Sequence, residues 1–172
     1  MDSTRNVRNI GNIGNEFSRS IMEAERSLLS SEHLLKVILP VVKDQKMLLR
    51  VLENLNKSAI SILSLILKYE HIYGKIELSK DSKDNLNTFF GKCSSSYGVS
   101  DTDGQSIKRI LFLARKYKES GFEFSRRDKV IIMDDSLNTN EVTKSELEEA
   151  TFILRKLVKN ARLNFVAFKR KI

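Results

Sequence analysis

Residues 44–74, DQKMLLRVLENLNKSAISILSLILKYEHIYG, decide the fold because apolar side chains recur in them at spacings of three and four. This is the period of an α-helix that buries one face. The inward positions that it predicts are Leu48, Leu52, Leu55, Ala59, Ile62, Ile66, Tyr69 and Tyr73. Between residues 59 and 67 further apolar side chains widen this face until little polar surface is left. We therefore expect a central helix, or one that lies in a homo-oligomer interface.

A matching apolar seam lies just before this segment. Its positions are Phe17, Ile21, Ala24, Leu28, Ser31, Leu35, Ile38 and Val42. Pro40 lacks an amide proton and disfavours helix in the residue before it, so the first helix is expected to end or kink there. Because a short connection makes two helices antiparallel neighbours, the sequence predicts a long antiparallel helical hairpin over roughly residues 15–74.

The rest of the chain predicts shorter elements and one more long helix. Two short helices are expected between Asp81 and Gly121, with capping residues at their starts. Residues 122–133 then change to the alternating and β-branched pattern of a small β-hairpin. Thr143 followed by Glu146 is typical of the capping box that starts a helix, here the last one.

The predicted fold class is therefore mainly α: a helical bundle built on a long hairpin, with a small β-hairpin before the last helix. Residues 16–172 are expected to form a single helical domain. Residues 1–15, which are polar and contain Gly11 and Gly14, are expected to be a flexible lead-in.

Composition excludes several classes of protein. The single cysteine, Cys93, rules out an internal disulfide and is typical of a reducing compartment. Residues 1–15 lack the apolar core of a signal peptide. The longest near-apolar run, residues 59–67, is shorter than the roughly 20 residues that span a membrane. We therefore expect a cytoplasmic protein with no membrane partner.

Several segments resemble a group of uncharacterised archaeal proteins. They are Ser31-Glu-His-Leu-Leu, Leu39-Pro-Val-Val-Lys-Asp, Leu48-Leu-Arg-Val-Leu-Glu, Tyr69-Glu-His-Ile-Tyr and Phe124-Ser-Arg-Arg-Asp-Lys-Val-Ile-Ile. The resemblance covers most of the chain from about residue 20 onward. It implies a small helical protein of archaeal, cytoplasmic origin. It implies no activity and no site residue.

The sequence contains little evidence for a metal site, a cofactor site or a catalytic nucleophile. The pairs Glu32-His33 and Glu70-His71 are sequence neighbours, which do not share a helix face. In a hairpin that turns near residue 43 the two histidines lie roughly 27 Å apart along the bundle, so no metal site is predicted. The chain has no phosphate-binding or dinucleotide-binding glycine motif and no nucleophile elbow, so no cofactor is predicted either. Cys93 is interpreted as a small core residue.

Arg26 and His33 resemble the Arg/His motif of the HEPN superfamily of small helical ribonucleases, with six residues between them. The resemblance implies that the arginine stabilises phosphate charge and that the histidine serves the chemistry of the 2′-hydroxyl. Both residues fall opposite the apolar seam, about 10 Å apart along the helix. An ordinary solvated arginine and histidine would occupy the same positions.

The stronger functional signal is the charge of the C-terminal part. Residues 108–172 hold 16 Lys/Arg and 9 Asp/Glu, which accounts for +7 of the net +8. On the last helix Arg155, Lys159, Arg162 and Lys169 align along one face, and no aromatic residue is expected among them. The hairpin link, with Arg126, Arg127 and Lys129, is expected to extend this surface. Aligned cations bind phosphates by releasing counterions, whereas a solvated helix face would have the same composition.

Three functional hypotheses follow from these observations. The first is a non-enzymatic binding or scaffold module that engages nucleic acid or an acidic protein through the basic last helix. The second is a HEPN-like ribonuclease that uses Arg26 and His33. The third is a purely structural subunit of an assembly. Self-association through the apolar second helix is expected to accompany the first.

Overall fold

The computed structural model describes the backbone of residues 3–169 and the side chains of residues 14–165. Its elements are α1 (Ser3–His33), α2 (Leu39–Val42), α3 (Met47–Ile72), α4 (Ser82–Thr88), α5 (Asp101–Glu119), β1 (Phe122–Arg126), β2 (Lys129–Met133), β3 (Thr139–Thr143) and α6 (Lys144–Lys169). The predicted fold class, a mainly helical bundle with a small β-structure before the last helix, is confirmed. The stretch expected to be a flexible lead-in is helical from Ser3 onward, and its flexibility stays a prediction.

α1 and α3 form the predicted antiparallel hairpin. The Asn54 side chain donates a hydrogen bond to Ser30, whereas Lys68 pairs with Glu16, so the two helices run in opposite directions. Between these contacts the Ser58 hydroxyl donates to the Ala24 carbonyl at 3.1 Å in the buried interface. Small residues at this point let the two backbones approach closely.

The end of the first helix departs from the predicted pattern. Residues 34–38 form a π-helical turn, in which the Leu39 amide donates to the Leu34 carbonyl. A π turn holds one residue more than an α turn, so the inward position moves to Leu39, which is buried. The predicted inward position Val42 is instead 56% exposed and is therefore wrong. The turn lies just before Pro40, which cannot donate a helical hydrogen bond.

α3 is the central helix, packed against α1, α5 and α6. All its predicted inward positions except Tyr73 are buried, and five more apolar residues are buried on its other sides: Leu49, Val51, Leu63, Leu65 and Leu67. The apolar surface that suggested an interface is thus covered within the chain, and Ile60 and Ile72 are its exposed large apolar residues. Self-association through this helix stays a prediction.

The segment after α4 packs against the end of α3 through a buried polar contact. The Tyr97 hydroxyl donates to Glu70 Oε1 at 2.6 Å, and Lys75 Nζ lies 2.9 Å from Glu70 Oε2. Burial, and then the bond to Glu70, raise the pKa of Tyr97 far above its ordinary value. Burial also raises the pKa of the nearby Cys93 thiol, which is a core residue as predicted.

The sheet has three antiparallel strands in the order β1-β2-β3. β1 and β2 are the predicted hairpin, whereas β3 was not predicted because Val142 is its single apolar residue. Val130, Ile132 and Val142 are buried in the main core. Successive side chains of a strand point to opposite faces, so one face of the sheet covers the helices and the other faces outward.

Candidate nucleic-acid interface

α6 carries most of the cations that the sequence assigns to a functional surface. Thr143 begins the helix as predicted, because its Oγ1 accepts a hydrogen bond from the Glu146 amide at 3.3 Å. The inward residues are buried, and they are Leu147, Ala150, Leu154, Leu157 and Ala161. This packing leaves Arg155, Lys159 and Arg162 exposed. Lys169 ends α6, and its side chain lies outside the described side chains.

Two of these cations have acidic partners on α1. Arg155 Nη2 lies 2.6 Å from Glu32 Oε1, and Arg162 Nη2 lies 2.7 Å from Glu25 Oε2. The two arginines and the two glutamates are each one heptad apart, and the pairs run in opposite order along the chain. α6 is therefore antiparallel to α1, and the helices are joined by two equivalent ion pairs.

These ion pairs are open to solvent, since each arginine side chain is 50% exposed. Exposed pairs of this kind contribute about 0–1 kcal/mol. Lys156 also has a partner, Asp103 of α5, at 3.4 Å. Lys159 has no ion pair with any residue that the structure describes. The α6 surface is thus less positive than its sequence suggests, but its cations are held weakly enough to change partners.

A groove of about 300 Å³ lies between α1 and α6. Its floor is apolar and consists of Leu28, Leu29 and Val158, with Glu25, Arg155, Lys159 and Arg162 around it. Leu29 is one of the more exposed apolar residues of the protein. The groove therefore offers apolar contact in its centre and charges of both signs at its rim.

An exposed aromatic residue lies beside the α6 cations, which the sequence interpretation missed. Phe152 is 71% exposed and precedes Arg155 and Lys156 by about one turn of α6. Phe152 precedes the row, so it lies beside these cations and not among them. The helical period contains the signal, because Phe152 lies between the inward positions Ala150 and Leu154 and cannot share their direction.

The structure places the three hairpin cations at one end of α6. Arg126 is exposed at the end of β1, and Arg127 is exposed in the turn that follows, where its backbone is left-handed at φ 57°. Lys129 Nζ pairs with Glu141 Oε1 at 2.5 Å across β2 and β3. Lys129 is also in register with Thr143, the residue before α6 begins.

The hairpin cations and the α6 cations therefore form two separate patches. Arg155 lies 11 residues beyond Lys144, which is about 16 Å along the helix. The first turns of α6 between them hold acids, and these are Glu146, Glu148 and Glu149. The carboxylate of Glu146 forms an ion pair with Arg109 of α5, whose Nε lies 2.9 Å from Glu146 Oε1. The structure thus brings together Arg155, Lys159 and Arg162 and leaves the hairpin cations apart.

Arg26 and His33 lie on the outer side of α1, and both are exposed. Neither lines the groove, which is formed by their neighbours on the α6 side of the helix. Within the described part of the chain neither side chain has a hydrogen bond or an ion pair. The two residues therefore share an exposed face, about 10 Å apart along the helix, and both lie outside this groove.

Metal-binding clusters and membrane-spanning helices are both absent from the described residues. Among them, no group of three or more His, Cys, Asp or Glu side chains could hold a metal ion. His71 Nδ1 lies 3.1 Å from the Ile76 carbonyl oxygen, so this ring nitrogen already has a hydrogen-bond partner. No helix in that part of the chain is long and apolar enough to cross a membrane.

Comparisons of the chain with protein-family models, with curated proteins and with solved structures gave no match. The site is therefore interpreted from its own geometry. That geometry offers exposed cations and an apolar groove, which are means of binding a ligand.

Proposed function

We propose that the protein is a non-enzymatic binding module that holds nucleic acid by its phosphates. The observation that carries this proposal is the exposed row Arg155, Lys159 and Arg162 on α6. It belongs to a stretch from Arg155 to Ile172 that holds seven cations and no acid. Cations that recur along one helix face can neutralise several phosphates of one nucleic acid.

The ion pairs to Glu25 and Glu32 are compatible with this function. Each glutamate, at 36% and 24% exposed, offers one charge to its arginine. A phosphate backbone offers several charges in succession, and condensed counterions are released from it when cations bind. An arginine can also bind a phosphate through two parallel hydrogen bonds. The local pairs then keep the arginines ordered until a polyanion displaces the glutamates.

The groove supports a second candidate, an acidic helical segment of a partner protein. Apolar side chains along one face of such a segment would pack on Leu29 and Val158. Carboxylates of the same segment would form ion pairs with Arg155 and Lys159. In that version the protein would be a scaffold subunit of an assembly. Both versions suit the cytoplasm, where a single unpaired cysteine is ordinary.

A salt-dependent titration tests the nucleic-acid version. Labelled 20-nucleotide RNA and DNA, single-stranded and duplex, would be titrated with the protein at 50 and 200 mM salt and followed by fluorescence anisotropy. We expect affinity to fall steeply with salt. Lys159→Gln breaks no ion pair, and we expect it to weaken binding of every sequence and to reduce the salt slope by about one.

Lys57→Gln is the control for the loss of one surface charge, because Lys57 is an exposed cation on α3, where it pairs with Glu23 at 3.3 Å. It should leave both the affinity and the salt slope unchanged. Absence of any salt-sensitive binding at low ionic strength would reject the nucleic-acid version. Equal losses in the two variants would show that net charge, and not the α6 row, is responsible.

A further inference from the structure

The outer face of the sheet is a second exposed surface with its own chemistry. Val130, Ile132 and Val142 face the core, so the residues that alternate with them face outward. The strand register arranges the outward residues in three rows: Phe122, Met133 and Thr139; Phe124, Ile131 and Glu141; Arg126, Lys129 and Thr143. Ile131, in the middle row, is only 4% exposed, so its neighbours cover the centre of the face. The face is therefore apolar at one end and basic at the other, and it is open to solvent at these two ends.

Two aromatic rings lie side by side at the apolar end. Phe122 is 55% exposed, and its ring centroid is 5.7 Å from that of the partly exposed Phe124, with a tilt of 36° between the rings. Both residues belong to β1, which is an edge strand of the sheet. Leu137, in the turn that adjoins this end, is 72% exposed. Adjacent exposed apolar side chains of this size mark an interaction site more often than chance exposure does.

The basic end of the face has cations without local partners. Arg126 and Arg127 have no ion pair with any described residue, whereas Lys129 is paired with Glu141. Asp128 is the remaining acid of the turn, so the turn keeps a positive charge. An anionic ligand that also carries flat apolar groups complements both ends of this surface.

We propose that the outer face of the sheet stacks the bases of single-stranded nucleic acid on Phe122 and Phe124, with the phosphates at Arg126 and Arg127. This inference rests on the proposed function, because it assumes a nucleic-acid ligand. Unpaired bases present their faces to aromatic side chains on a sheet, whereas the bases of a duplex are already stacked on one another. The sheet face thus adds a preference for single strands that the cations of α6 do not supply.

Three variants of exposed phenylalanines test the proposal. Phe122→Leu keeps an apolar side chain but removes the ring, and Phe122→Tyr keeps the ring. Phe152→Leu makes the same change at the exposed ring of α6. Each would be titrated with a single strand and a duplex of one sequence, and 2-aminopurine in the single strand would report stacking. We expect wild-type protein to bind the single strand at least about fivefold more tightly, the effect of one stacked base.

The proposal is supported if Phe122→Leu abolishes this preference and the quenching of 2-aminopurine, while Phe122→Tyr and Phe152→Leu keep both. Circular dichroism would establish that each variant is folded. Salt-sensitive binding with equal affinity for single strand and duplex would overturn the inference and leave the proposed function intact. Absence of salt-sensitive binding would overturn both. Two further results would overturn it. One is that Phe152→Leu, and not Phe122→Leu, loses the preference for the single strand. The other is that Phe122→Leu changes the sedimentation of the protein without ligand.

Discussion

Arg162 Nη2 lies 2.7 Å from Glu25 Oε2, and one heptad away Arg155 repeats this contact with Glu32 at 2.6 Å. The two pairs join α6 to α1 at the surface, and they also occupy the cations best placed to hold a phosphate. The same carboxylates therefore order the binding surface and compete with its ligand. This competition is measurable, because glutamine has the same shape as glutamate without the charge.

Removing both carboxylates should strengthen nucleic-acid binding. In a Glu25→Gln, Glu32→Gln double variant the arginines lose their local anions, and we expect affinity at low salt to rise severalfold. The cost in unfolding free energy should be at most about 1 kcal/mol per pair, because the pairs are exposed. Anisotropy titrations and urea unfolding measure the two effects.

The control for this double variant is Glu23→Gln, which removes a carboxylate of α1 that pairs with Lys57 instead. It removes one negative charge from α1, as Glu25→Gln or Glu32→Gln does, but at a carboxylate that does not pair with α6. Its effect on affinity should therefore be smaller than that of Glu25→Gln or Glu32→Gln alone. Equal gains from Glu23→Gln and Glu25→Gln would contradict local competition.

Tyr97→Phe should destabilise the fold more than an ordinary loss of a hydroxyl. The variant leaves the buried carboxylate of Glu70 without its 2.6 Å donor. An unsatisfied buried acceptor costs about 1–3 kcal/mol, and we expect a loss in that range from urea unfolding. Tyr117→Phe serves as the control, since the Tyr117 side chain has no hydrogen bond to any described residue. Similar losses in the two variants would disprove the role of the Glu70 contact.

Stability should fall as pH rises above 10. Burial raises the pKa of Tyr69 from 10.0 to about 12, and burial with the Glu70 bond raises that of Tyr97. The folded state then keeps protons that the unfolded state releases, so the tyrosines contribute stability that is fully present below about pH 10. That stability is lost between pH 10 and 12 for Tyr69. Urea midpoints across this range measure the fall, which should be shallower in Tyr97→Phe. Parallel curves for the two proteins would argue against this linkage.

His33→Ala should not change how the protein treats RNA. His33 and Arg26 are both exposed on α1, outside the groove. We expect single-stranded and structured RNA to stay intact with wild-type protein and with the variant, as judged by denaturing gels. Cleavage that depends on both His33 and Arg26 would instead support the HEPN-like ribonuclease.

Much of the helical framework was predictable because it depends on short-range periodicity. All positions of the second seam except Tyr73, and the first six positions of the first seam, are buried as expected, since each seam needs only one apolar face and a neighbouring helix. The start of α6 at Thr143 was predictable for a similar reason, because a cap is a contact between residues three apart. The prediction failed where the backbone departs from the α period, as at the π turn before Pro40.

Strand β3 could not be predicted from local periodicity, and neither could the ion-pair partners of the surface cations. A strand with one apolar residue is stabilised by pairing with β2, and that partner is not visible in its own sequence. Glu25 and Arg162 are 137 positions apart. No local pattern indicates that they meet, since the contact depends on α6 lying antiparallel to α1.

The sequence alone determined that this protein is a helical hairpin with a basic C-terminal part, because periodicity and charge are local properties of the chain. The tertiary structure decided which cations keep a partner and which do not. It also decided that Phe122 and Phe124 share an open face with Arg126, since strand register sets which side chains lie together. The surface available to a ligand is a property of packing, and packing is set by residues distant in sequence.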